Sequence, residues 1–205
     1  MSTTRKILPF FLLFLAFTGG MLFVYQGMLG SRAQPEFATV WPSPMPLAEF
    51  SLVDQHGNTF TRNDLTDQWS LIFFGFTHCP DICPATLQQL AIANQNLQEA
   101  GKPVPEIVLV SVDPERDTPE VMATYVSHFP GAILGITGDI SEITKLTSSA
   151  GIFFEKSAGA NGEYSVDHSA AVLVINEDAS IHGSFGAPHS IDSLVHDLPV
   201  LMGSD

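Results

Sequence analysis

The sequence feature that most restricts the fold is an uninterrupted apolar run, Ser70–Phe76 (SLIFFGF), with a helical pattern soon after it. A run of this length without polar alternation predicts a strand that is covered on both faces of a sheet. From Pro84 to Ala100, apolar residues recur at helical spacing, and Gly101 supplies a stop signal. Ile107–Val112 is a second apolar run of strand length. Strand, helix and strand in this order predict an α/β domain.

The rest of the chain continues this alternation of strands and helices. A polar turn at 54–58 lies between two short strand-like segments and predicts an N-terminal β-hairpin. The further predicted elements are strands Leu47–Val53, Thr59–Thr61, Ala170–Ile175 and Ser180–Phe185, and helices from Asp117 or Thr118 to about His128, Ile140–Gly151 and Ser190–Leu201. This order predicts a thioredoxin-like sandwich, in which a central mixed sheet carries helices on both faces.

The N-terminal region differs in composition from the domain that follows it. Residues 7–29 contain no charged side chain over 23 positions, which is long enough for a transmembrane helix. Arg5 and Lys6 precede this span, and positive residues favour the cytoplasmic side of a membrane. We therefore expect residues 1–6 in the cytoplasm, one span through a bacterial inner membrane, and the domain in the periplasm.

The boundary between this span and the domain is marked by prolines. Residues 30–46 contain four of them and show no hydrophobic period, which predicts an extended linker and a domain at 47–205. A cleaved signal peptide is the alternative to a retained anchor, because Ser31-Arg32-Ala33 has small residues at cleavage-site spacing. The apolar span exceeds the usual length of the apolar region of a signal peptide, about 7–15 residues, so we favour the anchor.

The charge balance argues against nucleic acid as a partner. The whole chain has eight basic and 22 acidic residues, and from Gln34 onward five basic residues oppose 22 acidic ones, a net charge of −17. Affinity for nucleic acid comes largely from Lys and Arg side chains that neutralise phosphates. A domain this acidic lacks that source of affinity.

Two cysteines, Cys79 and Cys83, lie between the predicted strand and the predicted helix. A helix N-terminus favours thiolate over thiol, because its free N–H groups and dipole are positive there. A spacing of four residues in a first helical turn brings the two sulfurs within reach of each other. The pair can thus form a disulfide or hold one soft metal ion, and simple packing is the third reading.

A metal held by two thiolates needs a further ligand. His168 is the best candidate among seven histidines, because it precedes the apolar strand after Ala170 and so lies at a sheet edge. Cu(I) accepts two or three soft ligands, and Cu(II) prefers an added imidazole nitrogen. From the residues alone, a packing role for His168 is equally open. His78 and Asp113 are candidates for supporting the ligands without binding the metal themselves.

Three motifs together resemble the Sco/SenC family of copper-binding assembly proteins for cytochrome c oxidase. They are Phe73–Pro84 (FFGFTHCPDICP), Val110–Thr118 (VSVDPERDT) and Val166–Ser169 (VDHS). The resemblance implies a thioredoxin-like fold, a membrane anchor, and copper bound as Cu(I) or Cu(II) by Cys79, Cys83 and His168. It also implies a metallochaperone and leaves a thiol-disulfide reductase activity open.

The same resemblance implies the partners. The family delivers copper to the dinuclear copper A site of oxidase subunit II, or keeps the cysteines of that site reduced, and a copper-donor protein must supply the metal. The competing function is a thiol-disulfide oxidoreductase that uses a Cys79–Cys83 disulfide to exchange electrons. Asp117 and Thr118 of the second motif also fit a plain helix cap.

Overall fold

In the computed structural model, the chain forms two compact units, Met1–Gln34 and Pro35–Asp205. The residues that the structure describes are 14, 16–21, 33–158 and 164–203. In the first unit, Phe14 and residues 16–21 are helical, and Thr18 Oγ1 donates to Phe14 O over 2.9 Å. Among the described residues, no helix combines the length and apolarity needed to cross a bilayer. Most of the predicted span 7–29 lies outside the described residues.

The second unit contains ten strands and four α-helices among its described residues. The strands are β1 Thr39–Pro46, β2 Ser51–Asp54, β3 Thr59–Thr61, β4 Ser70–Gly75, β5 Glu106–Ser111, β6 Ile133–Thr137, β7 Phe154–Ala158, β8 Tyr164–His168, β9 Val172–Ile175 and β10 Ser180–Phe185. The helices are α1 Ile82–Glu99, α2 Pro119–Val126, α3 Ile140–Ser149 and α4 Ile191–Leu201, with a short 3-10 helix at Arg62–Leu65.

Eight strands form one mixed sheet in the order β1-β10-β9-β4-β5-β6-β2-β3. The strands β4, β5 and β6 are parallel, and the remaining pairs are antiparallel. Every residue of β4 and β9 is buried, as expected for central strands that are covered on both faces. The predicted thioredoxin-like α/β fold is confirmed, including the N-terminal hairpin, in which Leu52 pairs with Phe60.

Three regions differ from the sequence prediction. Thr39–Pro46, predicted as linker, is the edge strand β1, which pairs with β10 through Thr39↔Ser184 and Pro46↔Ser180. Prolines are tolerated there because an edge strand pairs on one side only, so half of its N–H groups are not needed for hydrogen bonds to the sheet. The pairing register is also interrupted between Val40 and Met45. The domain therefore begins earlier than Leu47.

The other two differences are strands that the sequence pattern did not predict. One is β6, which the prediction left between two helices, and the other is the hairpin of β7 and β8. This hairpin forms a two-stranded sheet separate from the main one, with Phe154 opposite His168. We refer to it as the histidine hairpin, because its last residue is His168.

A buried carboxylate fixes the start of the second unit. Asp197 of α4 is fully buried and accepts hydrogen bonds from the backbone N–H groups of Glu36, Phe37 and Ala38, at 2.9, 2.6 and 2.7 Å. His196 Nδ1 lies 2.7 Å from the same carboxylate. These hydrogen bonds lower the pKa of Asp197 although burial opposes the change. The chain that enters β1 is thus attached to the C-terminal helix.

Candidate metal centre

The two cysteines lie where β4 ends and α1 begins. Cys79 is in the connecting loop with 8% of its surface exposed, and Cys83 lies in the first turn of α1 with none exposed. The backbone N–H of Cys79 donates to Phe76 O over 3.2 Å. The backbone N–H of Cys83 donates to Cys79 Sγ over 3.4 Å. A free N–H of the helix terminus therefore stabilises negative charge on the Cys79 sulfur.

Gly75, the last residue of β4, allows Cys83 to approach the sheet. A Cβ atom at this position would lie 2.9 Å from Cys83 Sγ and 3.1 Å from the ring of Phe73. Real Cβ atoms essentially never come so close to another heavy atom. The sulfur thus occupies the space that any larger residue at position 75 would fill.

His168 brings a nitrogen to the two sulfurs. Its Nδ1 lies 3.1 Å from the carbonyl of Ser169, which can only accept, so Nδ1 carries the proton. Nε2 keeps its lone pair in the neutral ring and lies 3.4 Å from Cys83 Sγ. The rings of Phe73 and Phe76 contact the imidazole edge-to-face, at centroid distances of 6.0 and 5.8 Å.

The three ligand atoms of Cys79, Cys83 and His168 all lie within 4.8 Å of one another. This group of three is therefore positioned to bind one metal ion, as the sequence predicts. Two thiolates and one imidazole form a soft donor set that fits Cu(I), and the nitrogen adds the ligand that Cu(II) prefers. Both cysteines are free thiols in the structure, and their predicted disulfide stays a prediction.

The pKa values of the two thiols shift in opposite directions because the thiols share one hydrogen bond. Donation from Cys83 lowers the pKa of Cys79 to about 4, and contact with His168 acts in the same direction against the effect of burial. The same hydrogen bond, together with burial, raises the pKa of Cys83. The pair therefore favours the thiolate on Cys79 and the proton on Cys83.

Asp117 holds the loop that carries Cys79. It is fully buried, and its carboxylate accepts from the Thr77 N–H at 3.0 Å, the Thr77 hydroxyl at 2.5 Å and the Ser111 hydroxyl at 2.6 Å. The sequence analysis treated Asp117 as a possible helix cap, but the cap of α2 is Thr118, whose side chain accepts from Val121 N. The sequence signal for the role of Asp117 was its position after β5. Because β4 and β5 are parallel, their C-terminal ends lie at the same edge of the sheet.

Asp113 holds the histidine hairpin and does not touch the metal ligands directly. Its buried carboxylate accepts from the Tyr164 hydroxyl at 2.8 Å and is paired with Arg116. The Arg116 guanidinium also stacks on the Tyr164 ring at 3.9 Å and donates to Tyr164 O at 3.2 Å. Tyr164 begins β8, the strand that ends at His168. The sequence analysis assigned no role to Tyr164 and included Arg116 only as part of the second family motif.

His78 lies outside the ligand group. Its side chain is 54% exposed, and its Nδ1 is 3.1 Å from Thr77 Oγ1 and 3.9 Å from Asp117 Oδ1. It therefore faces the carboxylate that holds the loop, which is compatible with the supporting role proposed from the sequence. Among the described residues, the other histidines join no group of three metal-binding side chains.

With this geometry in view, comparison with known proteins gives the family. The sequence profile of SCO1/SenC proteins matches residues 44–203. The chain belongs to the SCO1/SenC family. A protein of Stutzerimonas stutzeri whose name refers to copper binding is 33% identical over 164 residues, which is 80% of each chain. The human mitochondrial SCO2 homologue is 37% identical over 150 residues, covering 71% of this chain and 56% of the human protein.

A solved SCO structure gives the same result for the fold. The crystal structure of Arabidopsis thaliana ScoI with copper bound is 34% identical, covers 78% of this chain and 99% of that chain, and has a TM-score of 0.73. Copper is thus the metal found in a solved relative of this fold. The sulfur and nitrogen donors present here fit the same metal.

Proposed function

We propose that the domain is a copper chaperone that binds Cu(I) and Cu(II) through Cys79, Cys83 and His168. It takes copper from a donor protein and passes it to the dinuclear copper A site of cytochrome c oxidase subunit II. The observation that carries this proposal is the convergence within 4.8 Å of two sulfurs and of one nitrogen that follows Cys83 by 85 residues. Family membership supports the choice of copper and of the oxidase.

The unequal burial of the three ligands is compatible with transfer of the bound metal to a partner. Cys83 is completely buried, Cys79 keeps 8% of its surface exposed, and His168 is half-buried. A partner's ligands can therefore approach the ion from one side, while Cys83 holds it from below. Transfer then proceeds by exchange of one ligand at a time, without exposure of free copper to water.

The proposed location is the outer side of a bacterial inner membrane, with one anchor helix and a cytoplasmic N-terminus. The uncharged span 7–29 and the preceding Arg5 and Lys6 support this topology. A reporter that is active only in the periplasm, fused after Asp205, should be active. Activity of a cytoplasmic reporter at the same position would reverse the proposed orientation.

A second function rests on the two sulfurs alone. The sulfur atoms of the Cys79 thiolate and the Cys83 thiol lie within 4.8 Å of each other, close enough to form a disulfide after a small movement. The pair can therefore reduce a disulfide of the oxidase subunit. Cys79 attacks that disulfide and releases one partner thiolate, and Cys83 then attacks the mixed disulfide and releases the second. Two electrons pass to the partner, and a Cys79–Cys83 disulfide remains.

The substitution His168→Ala separates the two functions, because copper needs the imidazole and disulfide exchange does not. We expect Cu(II) affinity to fall at least about tenfold and the sulfur-to-copper absorption to weaken. The Cys79–Cys83 disulfide should still form. Copper titration of the reduced protein in both oxidation states measures the first effect, and thiol counting measures the second.

The matched control is His128→Ala, since His128 is exposed and outside the ligand group. Oxidase activity in cells that carry only the His168→Ala protein then identifies the task. Loss of active oxidase supports copper delivery, whereas full activity favours thiol reduction. Unchanged Cu(II) binding in His168→Ala would show that His168 is not a ligand.

A further inference from the structure

The domain has a large cavity at the end opposite the metal centre. Its volume is about 680 Å³, and it lies where the parallel strands β4, β5 and β6 begin. The second half of α1 borders it, together with the loops that lead into β5 and β6. The cysteines follow the other end of β4, so the six residues of this strand separate the two places by about 20 Å. The size is that of a site for a small molecule.

Asn94, which lines the cavity, has a buried acceptor without a donor. Asn94 Nδ2 donates to Pro105 O over 2.7 Å, and a carbonyl can only accept, so this contact fixes the orientation of the amide. Asn94 Oδ1 is consequently turned away from Pro105, and it is buried without a hydrogen-bond partner among the described residues. Such an acceptor is costly unless a ligand or water donates to it.

A carboxylate lies next to this acceptor. Glu106 follows Pro105, lines the same cavity and is half-buried. Gln68 Nε2 donates to it over 3.2 Å and also donates to Asp64 O over 3.0 Å, which uses both hydrogens of that amide. Burial and the nearby Asp64 carboxylate raise the pKa of Glu106, as happens when a carboxylate lacks a cationic partner.

The surroundings favour positive charge over negative charge. Among the described lining residues there is no Lys or Arg, and Lys102 of the neighbouring loop is exposed and does not line the cavity. The last turn of α1 borders the cavity through Gln98. The C-terminal end of a helix carries the partial negative charge of the helix dipole. Trp69 adds an aromatic surface, on which cations pack favourably.

We propose that this cavity binds a small organic cation with an alkylammonium or guanidinium group. The N–H groups of the cation donate to Asn94 Oδ1 and to the Glu106 carboxylate, and its carbon chain lies against Trp69. The site is separate from the metal centre and does not depend on the proposed copper function. An anion is disfavoured by the same set of groups.

Calorimetric titration of the full-length protein with 1,4-diaminobutane tests this proposal. We expect saturable binding of the diamine, and no binding of 1-butanol or butanoate at the same concentrations. Glu106→Gln should weaken diamine binding by about tenfold, because a charge-assisted hydrogen bond is lost. The matched control Glu99→Gln removes the same charge from the exposed end of α1, outside the cavity lining, and should leave binding unchanged.

A second variant avoids the buried residues. Gln98→Lys places an ammonium group at the exposed rim of the cavity and should also weaken diamine binding by about tenfold. Gln88→Lys adds the same charge on the same helix away from the cavity and should not. Equal binding of diamine and butanol, unchanged affinity in both Glu106→Gln and Gln98→Lys, or equally tight binding of Ca²⁺ would overturn the proposal. Copper titration of the same variants should match the unmodified protein, whether or not diamine binds.

Discussion

The two halves of the metal centre are built in different ways. Cys79 and Cys83 lie four residues apart on a loop and helix that follow directly from a fully buried central strand. His168 comes from a separate two-stranded hairpin and reaches the sulfurs across 85 residues of sequence. The sulfur half is therefore fixed by local backbone structure, whereas the position of the nitrogen depends on contacts made by distant side chains.

Both halves are nevertheless held by one short segment after β5. Asp117 binds Thr77 in the cysteine loop, and Asp113 binds Tyr164 at the start of β8. Both carboxylates are completely buried. A change in one of them should therefore loosen one half of the centre and leave the other in place, which the following substitutions test.

Asp117→Asn should have the largest effect on stability. An amide in place of the carboxylate cannot accept from all three donors of Thr77 and Ser111, so we expect a loss of about 3 kcal/mol in the free energy of unfolding. Denaturant titration measures this loss. Copper affinity should fall in both oxidation states, since the cysteine loop moves. A loss no greater than that of the exposed control Asp139→Asn would contradict the assigned role.

Gly75→Ala should have the next largest effect, confined to the sulfur half. The added methyl group would lie 2.9 Å from Cys83 Sγ, and overpacking of this kind costs about 2 kcal/mol. Cu(I) affinity and disulfide formation should both fall, as seen by copper titration and thiol counting. Gly186→Ala is the control, because a Cβ there meets nothing within 4 Å. Normal Cu(I) binding by Gly75→Ala would show that Cys83 has room to move.

Tyr164→Phe should affect the nitrogen half alone. Loss of the hydroxyl leaves a buried oxygen of Asp113 without a donor, at a cost of about 1.5 kcal/mol. Burial and this contact with Asp113 raise the pKa of Tyr164 to about 12, so the hydroxyl is protonated and donates at neutral pH. We expect weaker Cu(II) binding, with unchanged disulfide formation. Equal losses in both assays would mean that the two halves are not held independently.

The last test is the pH dependence of the metal-free protein, and it concerns the sulfur half alone. The pKa of Cys79 falls from its ordinary value near 9 to about 4 on folding, so its contribution to stability is complete above about pH 9 and is lost as the pH falls towards 4. The raised pKa of Cys83 acts in the opposite direction above about pH 9. Unfolding measured across this range should show less pH dependence in Cys79→Ser than in the unmodified protein. An equal slope in both would contradict the assigned thiolate.

Local patterns were sufficient to predict the sulfur half from the sequence. The apolar runs of β4 and β5 and the periodicity of α1 fixed the loop on which the cysteines lie. The pattern failed at β6, where Gly135 lowers the tendency to form a strand. A Cβ there would lie 3.2 Å from Met122 and Val126, which pack against this position from α2, and this is closer than most Cβ contacts. A residue that weakens the local signal thus serves long-range packing.

The nitrogen half could not be derived from local patterns. All five residues of β7 are exposed or half-buried, and the segment shows no apolar alternation, so no strand was predicted there. From the residues alone, His168 was as compatible with packing as with metal binding, and only the family resemblance implied its role. Asp117 was interpreted as a possible helix cap, and its actual partner Thr77 lies 40 residues away. Contacts of this range leave no periodic trace in a sequence.

The attachment of residues 36–38 to Asp197 has a mechanical consequence. Tension applied to the chain from its N-terminal side reaches the fold first at these three hydrogen bonds, and then at β1 along the edge of the main sheet. The cysteine loop and the histidine hairpin are not part of that path, because β1 pairs with β10. Such tension therefore loads the β1 edge of the main sheet before it reaches the elements that carry the three ligands.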